Sequence, residues 1–259
     1  MPETVPRGLG TTGTPPRTPA PTISPARALG LRPPSGIPSP RFHSRIGVGL
    51  AGGFYPAPHR YELFLSAGCP RSLRVSITLD LLGPDQNVTT TLLTHPAASP
   101  DGFASLRAAY EATVHHYDGP LTVPALRDRW SGRIVSNHTP DILRDLAELV
   151  SGQGADRPGT LTPSALAPDI EALRELLELG LAEAGGRAAV LGALERRLPL
   201  RPYALGDALT AADVDLWTAL VQPGASGAPG AYPRLQAYVR RLGGHPAFRR
   251  AYGALLAAA

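Results

Sequence analysis

A cysteine followed by a proline, set between two apolar runs of different period, is the stretch of this 259-residue chain best suited to chemistry. Tyr61-Glu-Leu-Phe-Leu-Ser66 reads as a short strand, aromatic and apolar with one charge. From Pro70 to Leu82 the period turns helical: Leu73, Ile77 and Leu81 recur on one face, and Val75, Leu79 and Leu82 widen it. Cys69, the only cysteine, precedes Pro70, a residue favoured at the first helical position. At a helix start the unsatisfied N–H groups and the positive end of the macrodipole favour a thiolate, the nucleophilic form of the side chain. Arg71 and Arg74 add positive charge within a turn. A lone cysteine is also a common small buried hydrophobe, and it is the strand–Cys-Pro–helix setting that makes this one a candidate nucleophile. Ser72 stands where a dithiol pair would carry its second cysteine, so any redox cycle at Cys69 needs an external thiol.

The elements that must hold this cysteine follow in order. Asn87–Leu93, rich in threonine and leucine, reads as a second strand, and a helical stretch follows around Phe103–Val114. In Leu121-Thr-Val-Pro124, a cis Val123–Pro124 peptide at a strand start could expose the Val123 backbone to an extended ligand. A hairpin over Leu126–Val135 turns at Ser131-Gly132. Thr139 then serves as N-cap and Pro140 as first residue of a helix carrying Ile142, Leu143, Leu146 and Leu149. The order β-α-β-(α)-β-β-α is that of a thioredoxin-like α/β domain, in which a helix-borne thiol faces a cis-proline. Beyond it the period is helical throughout, with Ile170, Leu173, Leu176, Leu177 and Leu181 on one face and another helix at about Ala188–Arg197. Thr210-Ala-Ala-Asp213 makes a capping box ahead of Val214, Leu216, Trp217 and Leu220, and helices are expected at Tyr232–Leu242 and Pro246–Leu256. The division expected is a disordered Pro-rich tail at 1–40, a thioredoxin-like domain at 41–152, a linker at 153–162 and an all-α domain at 163–259.

Composition narrows the function classes. Eleven prolines in residues 1–40 leave too little apolar surface to offset ordering entropy, which is why that segment reads as disordered. Between Arg41 and His59 the chain is irregular, with Phe42, Ile46 and Phe54 able to pack onto a domain. All basic side chains are arginine, and six of them lie in the first 45 residues against Glu3 alone. The net +4 therefore belongs to the tail, the remainder is close to neutral, and no nucleic-acid partner is expected. No run approaches the roughly 18 apolar residues that a membrane span needs. There is no secretory-signal pattern, and a single cysteine excludes an internal disulfide, so a cytoplasmic setting is expected. Asn87-Val-Thr89 and Asn137-His-Thr139 match a glycosylation triplet by chance under that reading. His115 and His116 are adjacent and expected to face apart, and no metal is expected.

A thioredoxin-like half followed by a helical half resembles the glutathione transferase superfamily. Within it, Arg60-Tyr61-Glu-Leu-Phe-Leu-Ser-Ala-Gly-Cys69-Pro70 resembles the Cys-Pro region of the glutathionyl-hydroquinone reductases. Gly102-Phe103, Tyr117-Asp-Gly119, Thr122-Val-Pro124, Asp128 to Ile134 and Val135-Ser-Asn137 are similar to the same family, and Leu205-Gly-Asp207 with Leu209 to Asp213 is similar to the superfamily's helical signature. The resemblance covers about Arg41 to Phe248. It implies that Cys69 is the nucleophile and that Val123, before Pro124, hydrogen-bonds the cysteinyl backbone of a glutathione cosubstrate. Phe103, His138 and Thr139 would complete the thiol-binding site, with Thr139 at the family's serine position for the γ-glutamyl carboxylate. Several positions depart from the family. Cys-Pro-Trp-Ala becomes Cys69-Pro-Arg-Ser72, Gly-Trp becomes Gly102-Phe103, and an expected arginine becomes Pro120. The acidic residue that would meet the cosubstrate's amino group is His138, and the family's Arg-Phe-Asp stretch after Leu220 is replaced by Val-Gln-Pro-Gly.

The expected function is a cysteine-dependent thiol transferase or reductase. It removes a low-molecular-weight thiol, glutathione or another, from an aromatic or quinone adduct through a mixed disulfide at Cys69. The alternative is a catalytically degenerate binding or redox-sensing protein on the same scaffold. The resemblance also implies a possible homodimer.

Overall fold

The computed structural model describes residues 42–47, 53–66, 69–83, 88–94, 99–151, 161–182, 184–198, 201–222 and 231–256. The proline tail at 1–40, the segment 152–160 that holds most of the expected linker, and 223–230 after Leu220 lie outside them.

Strand β1 (Tyr61–Ser66) is the centre of a four-stranded sheet of order β2-β1-β3-β4, with β2 (Val88–Leu93) at one edge and β3 (Ala125–Asp128) and β4 (Ile134–Ser136) on the other side. β2 runs parallel to β1, with Tyr61 opposite Val88, while β3 runs antiparallel, with Tyr61 opposite Asp128. Because successive strand residues face opposite sides, β1 feeds two cores. Tyr61, Leu63 and Leu65 pack with Val75 of helix α1 (Pro70–Leu82) and with Ile142 and Leu146 of α3 (Thr139–Ser151). Phe64 packs on the other side with Leu106, Ala109 and Tyr110 of α2 (Pro100–Thr113). Gly102 allows α2 to lie close to the edge strand, since a Cβ there would stand 2.6 Å from Leu93 Cδ2. Gly132, at φ +74°, supplies the left-handed turn between β3 and β4. This is the sheet and helix arrangement of a thioredoxin-like domain.

The remaining described elements are helical: α4 (Ala167–Ala182) after a 3₁₀ turn at Ser164–Leu166, α5 (Ala184–Arg197), α6 (Ala211–Leu220), α7 (Pro233–Gly243) and α8 (Pro246–Leu256). Their core gathers Ile170, Leu173, Leu176 and Leu177 with Trp217, Tyr238 and Phe248. Leu73 and Ile77 of α1 belong to this helical core, whereas Val75 of the same helix belongs to the sheet's core. The wide apolar face read in the sequence is thus two faces, and α1 is a wall shared by both halves. α6 begins at the expected capping box, where the buried Asp213 carboxylate accepts the Thr210 N–H at 2.9 Å and the Thr210 hydroxyl at 3.2 Å. None of the described helices is long and apolar enough to cross a membrane.

Candidate thiol active site

Cys69 sits at the cap position of α1, in extended backbone, with Pro70 opening the helix. Its N–H donates to the Ser66 carbonyl at 3.1 Å, and its carbonyl accepts the Leu73 N–H at 2.9 Å, which anchors the residue at the strand–helix junction. Sγ is half-buried and lies 3.6 Å from the Val123 carbonyl, donating to it. The Val123–Pro124 peptide is cis. The structure therefore brings together Cys69, Val123 and Pro124, residues more than fifty positions apart. Ser72, at the position a resolving thiol would occupy, is buried in the first turn with no partner for its hydroxyl among the described residues.

Positive charge around the thiol differs from expectation. Arg71 is exposed, but Arg74 turns away to the helical half, where Nε stands 2.7 Å from Asp215 Oδ1 of α6 as an ion pair without hydrogen-bond alignment. Burying a guanidinium requires a nearby counter-charge, and Asp215, itself buried, supplies it. Arg174 of α4 bonds the same carboxylate through Nε at 3.0 Å. Burial pulls the Arg174 guanidinium toward losing its proton, and the charges of Asp215 and Glu171 outweigh that and raise it.

The segment facing Cys69 is held by a polar network. Asn137 donates through Nδ2 to the Tyr110 hydroxyl at 3.2 Å and to Thr122 Oγ1 at 3.0 Å, and Tyr110 donates to the Thr122 carbonyl at 2.9 Å. Asn137 Oδ1 accepts the Phe42 N–H at 3.2 Å. This network, unread in the sequence, ties α2, the residues before the cis peptide and the start of α3 into one frame. Phe103, on the first turn of α2, leans half-buried on the apolar cluster that Val123 also touches.

Thr139 and His138 meet at the start of α3, with one revision. The Ile142 N–H bonds to the His138 carbonyl at 3.1 Å, so the helix closes on His138, one residue before the cap expected at Thr139. The His138 ring instead bonds Asp141, three residues on, at 2.9 Å. That frees Thr139, whose hydroxyl is buried with no partner among the described residues. Burial alone would raise the Asp141 carboxyl, and the hydrogen bonds from His138 and His43 overcome it and hold it below the ordinary carboxylate range. His115 and His116 do not face apart: their rings lie with centroids 3.9 Å apart and planes tilted by 48°, and His116 takes a left-handed φ of 54° in the turn after α2. A cavity of about 670 Å³ lies between α3, α4 and α6 and includes neither Cys69 nor Val123 in its lining.

Comparison with known proteins agrees with this architecture. Residues 182–241 match the family model "Glutathione S-transferase, C-terminal domain". The chain is 28% identical over 204 residues to glutathionyl-hydroquinone reductase YqjG of Escherichia coli (strain K12), a match covering 66% of this chain and 62% of that protein's length. It is 28% identical over 247 residues to glutathionyl-hydroquinone reductase PcpF of Sphingobium chlorophenolicum, covering 83% of this chain and 77% of the relative. The fold superposes on the glutathione S-transferase Xi of Phanerochaete chrysosporium with a TM-score of 0.71 at 22% identity, over 85% of this chain and 90% of that one. A thioredoxin-like domain carrying a Cys-Pro helix start, joined to this helical domain, is the architecture of the glutathione transferases, and in sequence the chain is similar to the glutathionyl-hydroquinone reductases.

Proposed function

We propose that the protein is a cysteine-dependent reductase that removes a glutathionyl group, or another low-molecular-weight thiol, from an aromatic or quinone-type adduct. The observation that carries this reading is the 3.6 Å approach of Cys69 Sγ to the Val123 carbonyl beside the cis peptide. A thiol cosubstrate laid along Val123 has its own sulfur brought to Sγ. Thr139 offers a buried hydroxyl, unpartnered among the described residues, at the start of α3, where the helix's unsatisfied N–H groups favour a carboxylate. The names of the two bacterial relatives supply the substrate class.

The Cys69 thiolate attacks the adduct's sulfur, forming a disulfide between protein and thiol. The carbon–sulfur bond breaks with its electron pair passing to the ring carbon, which takes up a proton, and the hydroquinone leaves reduced. A second thiol, as its thiolate, attacks the mixed disulfide and joins the first thiol. Cys69 leaves as thiolate, and the two small-molecule sulfurs carry the oxidation. Only one protein cysteine is required.

Cys69→Ser is expected to cut hydroquinone release from a glutathionyl-hydroquinone to about a thousandth or less, as removal of a nucleophile does elsewhere. The release is read by chromatography under anaerobic conditions. Unchanged release in the variant would remove Cys69 from the reaction.

A further inference from the structure

Two histidines and an aspartate converge where the residues before β1 cross the start of α3. His43 Nδ1 and His138 Nδ1 both reach Asp141 Oδ2, at 3.1 and 2.9 Å. The two rings have centroids 4.6 Å apart with 55° between their planes, and one donor atom from each residue lies within 4.8 Å of the others. Hydrogen bonding alone accounts for two imidazoles on one carboxylate oxygen, but the frame around them goes further. His43 pairs with Ser136 as an isolated antiparallel bridge. The backbone of its neighbour Phe42 holds Asn137 twice, its N–H donating to the side-chain Oδ1 at 3.2 Å and its carbonyl accepting the Asn137 N–H at 3.3 Å. The Ser136 hydroxyl donates to the same Phe42 carbonyl. On the far side, the Ile46 N–H bonds the buried Asp145 carboxylate at 3.1 Å, and Arg45 pairs with it as well. His43 is thus fixed by backbone contacts and not only by its own ring, which is the preorganisation a metal site needs.

The spacing also fits. Around an ion bound at about 2.0–2.1 Å by nitrogen and oxygen, tetrahedral donors stand roughly 3.3 Å apart. The two observed contacts need to open by only a few tenths of an ångström. Imidazole nitrogen with one carboxylate oxygen suits zinc and its first-row neighbours better than magnesium or calcium, which prefer all-oxygen sets. We propose that His43, His138 and Asp141 form a three-ligand site for a late first-row divalent cation, zinc foremost, with a fourth position open to water or an anionic group. Such an ion staples the residues before β1 to the start of α3. It also sets a positive charge one residue from the Thr139 hydroxyl. The site stands on geometry independent of the chemistry at Cys69.

The test uses the full chain carrying Cys69→Ser, so that no thiolate can bind metal. Cobalt is titrated and followed by visible absorption, and zinc is followed by calorimetry. The expected result is one ion per chain at micromolar or tighter affinity, with a cobalt spectrum of tetrahedral intensity and no sulfur charge-transfer band. Adding His43→Ala, and separately Asp141→Asn, is expected to weaken binding at least about tenfold. His43 is half exposed, and its replacement is checked for an unchanged circular dichroism spectrum. Absence of saturable binding below millimolar metal, or stoichiometric binding unchanged in both variants, would overturn the assignment. Neither outcome depends on turnover, so failure here is separable from failure of the reductase reading.

Discussion

A carboxylate taken out of water needs a donor for each lone pair, and Asp128, fully buried, finds them all. Arg60 donates through Nε at 2.8 Å and through Nη2 at 2.9 Å, the Ser131 hydroxyl donates at 2.7 Å, and the Trp130 N–H donates at 3.2 Å. The Arg60 guanidinium also lies over the Tyr55 and Trp130 rings, at 4.2 and 4.7 Å from their centroids. Burial alone would raise the Asp128 carboxyl, but the donors from Arg60, Ser131 and Trp130 outweigh it, and its folded value falls below the ordinary 3.8. A depressed carboxylate stabilises the fold above its unfolded value. That stabilisation is complete above about pH 5 and is lost as pH falls below 3.8 through the folded value. Urea unfolding at a series of pH values is therefore expected to show a steeper acid loss in the wild type than in Asp128→Asn, and equal slopes would contradict the pairing. Arg60 and Asp128 adjoin in the β1–β3 register, yet no local pattern in the sequence announces that they pair. Cys69, Val123 and Pro124 were legible because Cys-Pro and Val-Pro are local signals with a backbone meaning. His43, Tyr110 and Asn137 were not, because they meet Asp141, Asn137 and Thr122, which lie 98, 27 and 15 positions away, only in the finished sheet.

Among the elements, α6 shows how much one capping residue can carry. Asp213 accepts the Thr210 N–H as the capping box requires, and the Thr210 hydroxyl besides. It also accepts the Ala204 N–H at 2.8 Å and the Tyr238 hydroxyl at 2.7 Å, which joins the 201–210 segment, α6 and α7. Burial and the adjacent Asp213 charge push the Tyr238 hydroxyl well above its ordinary value, so it remains a donor. Asp213→Ala leaves several of these buried groups unsatisfied and is expected to cost about 3 kcal/mol or more, measured by urea unfolding. A loss no larger than a single surface cap, about 1 kcal/mol, would contradict the hub role. The box itself was readable from Thr210-Ala-Ala-Asp213, because capping is a spacing rule. Its extra partners were not, because they arrive from other helices. The same limit explains α1: period alone shows a broad apolar face, and only the packing of two cores divides it between Leu73 and Ile77 on one side and Val75 on the other.

At the scale of the whole molecule, the two halves meet along α1. Its apolar side chains enter both cores, and its Arg74 joins Asp215 and Arg174 in a buried ionic cluster. Cys69, the proposed nucleophile, thus starts the helix on which both halves rest, and the cis-peptide segment facing it is braced by Tyr110 and Asn137. The fold was legible from the change of hydrophobic period and the order of strands and helices. The direction of Arg74 was not, since it is set by a carboxylate 141 positions along the chain on α6. With one cysteine in the sequence, any disulfide adduct on the protein must be on Cys69. Intact-mass measurement after a short anaerobic exposure to a glutathionyl-hydroquinone, with no free thiol present, therefore reads the central step directly. The expected result is a gain of one glutathionyl group, matched by released hydroquinone, reversed by reductant and absent in Cys69→Ser. Hydroquinone release with no gain in mass on the wild-type chain would contradict it.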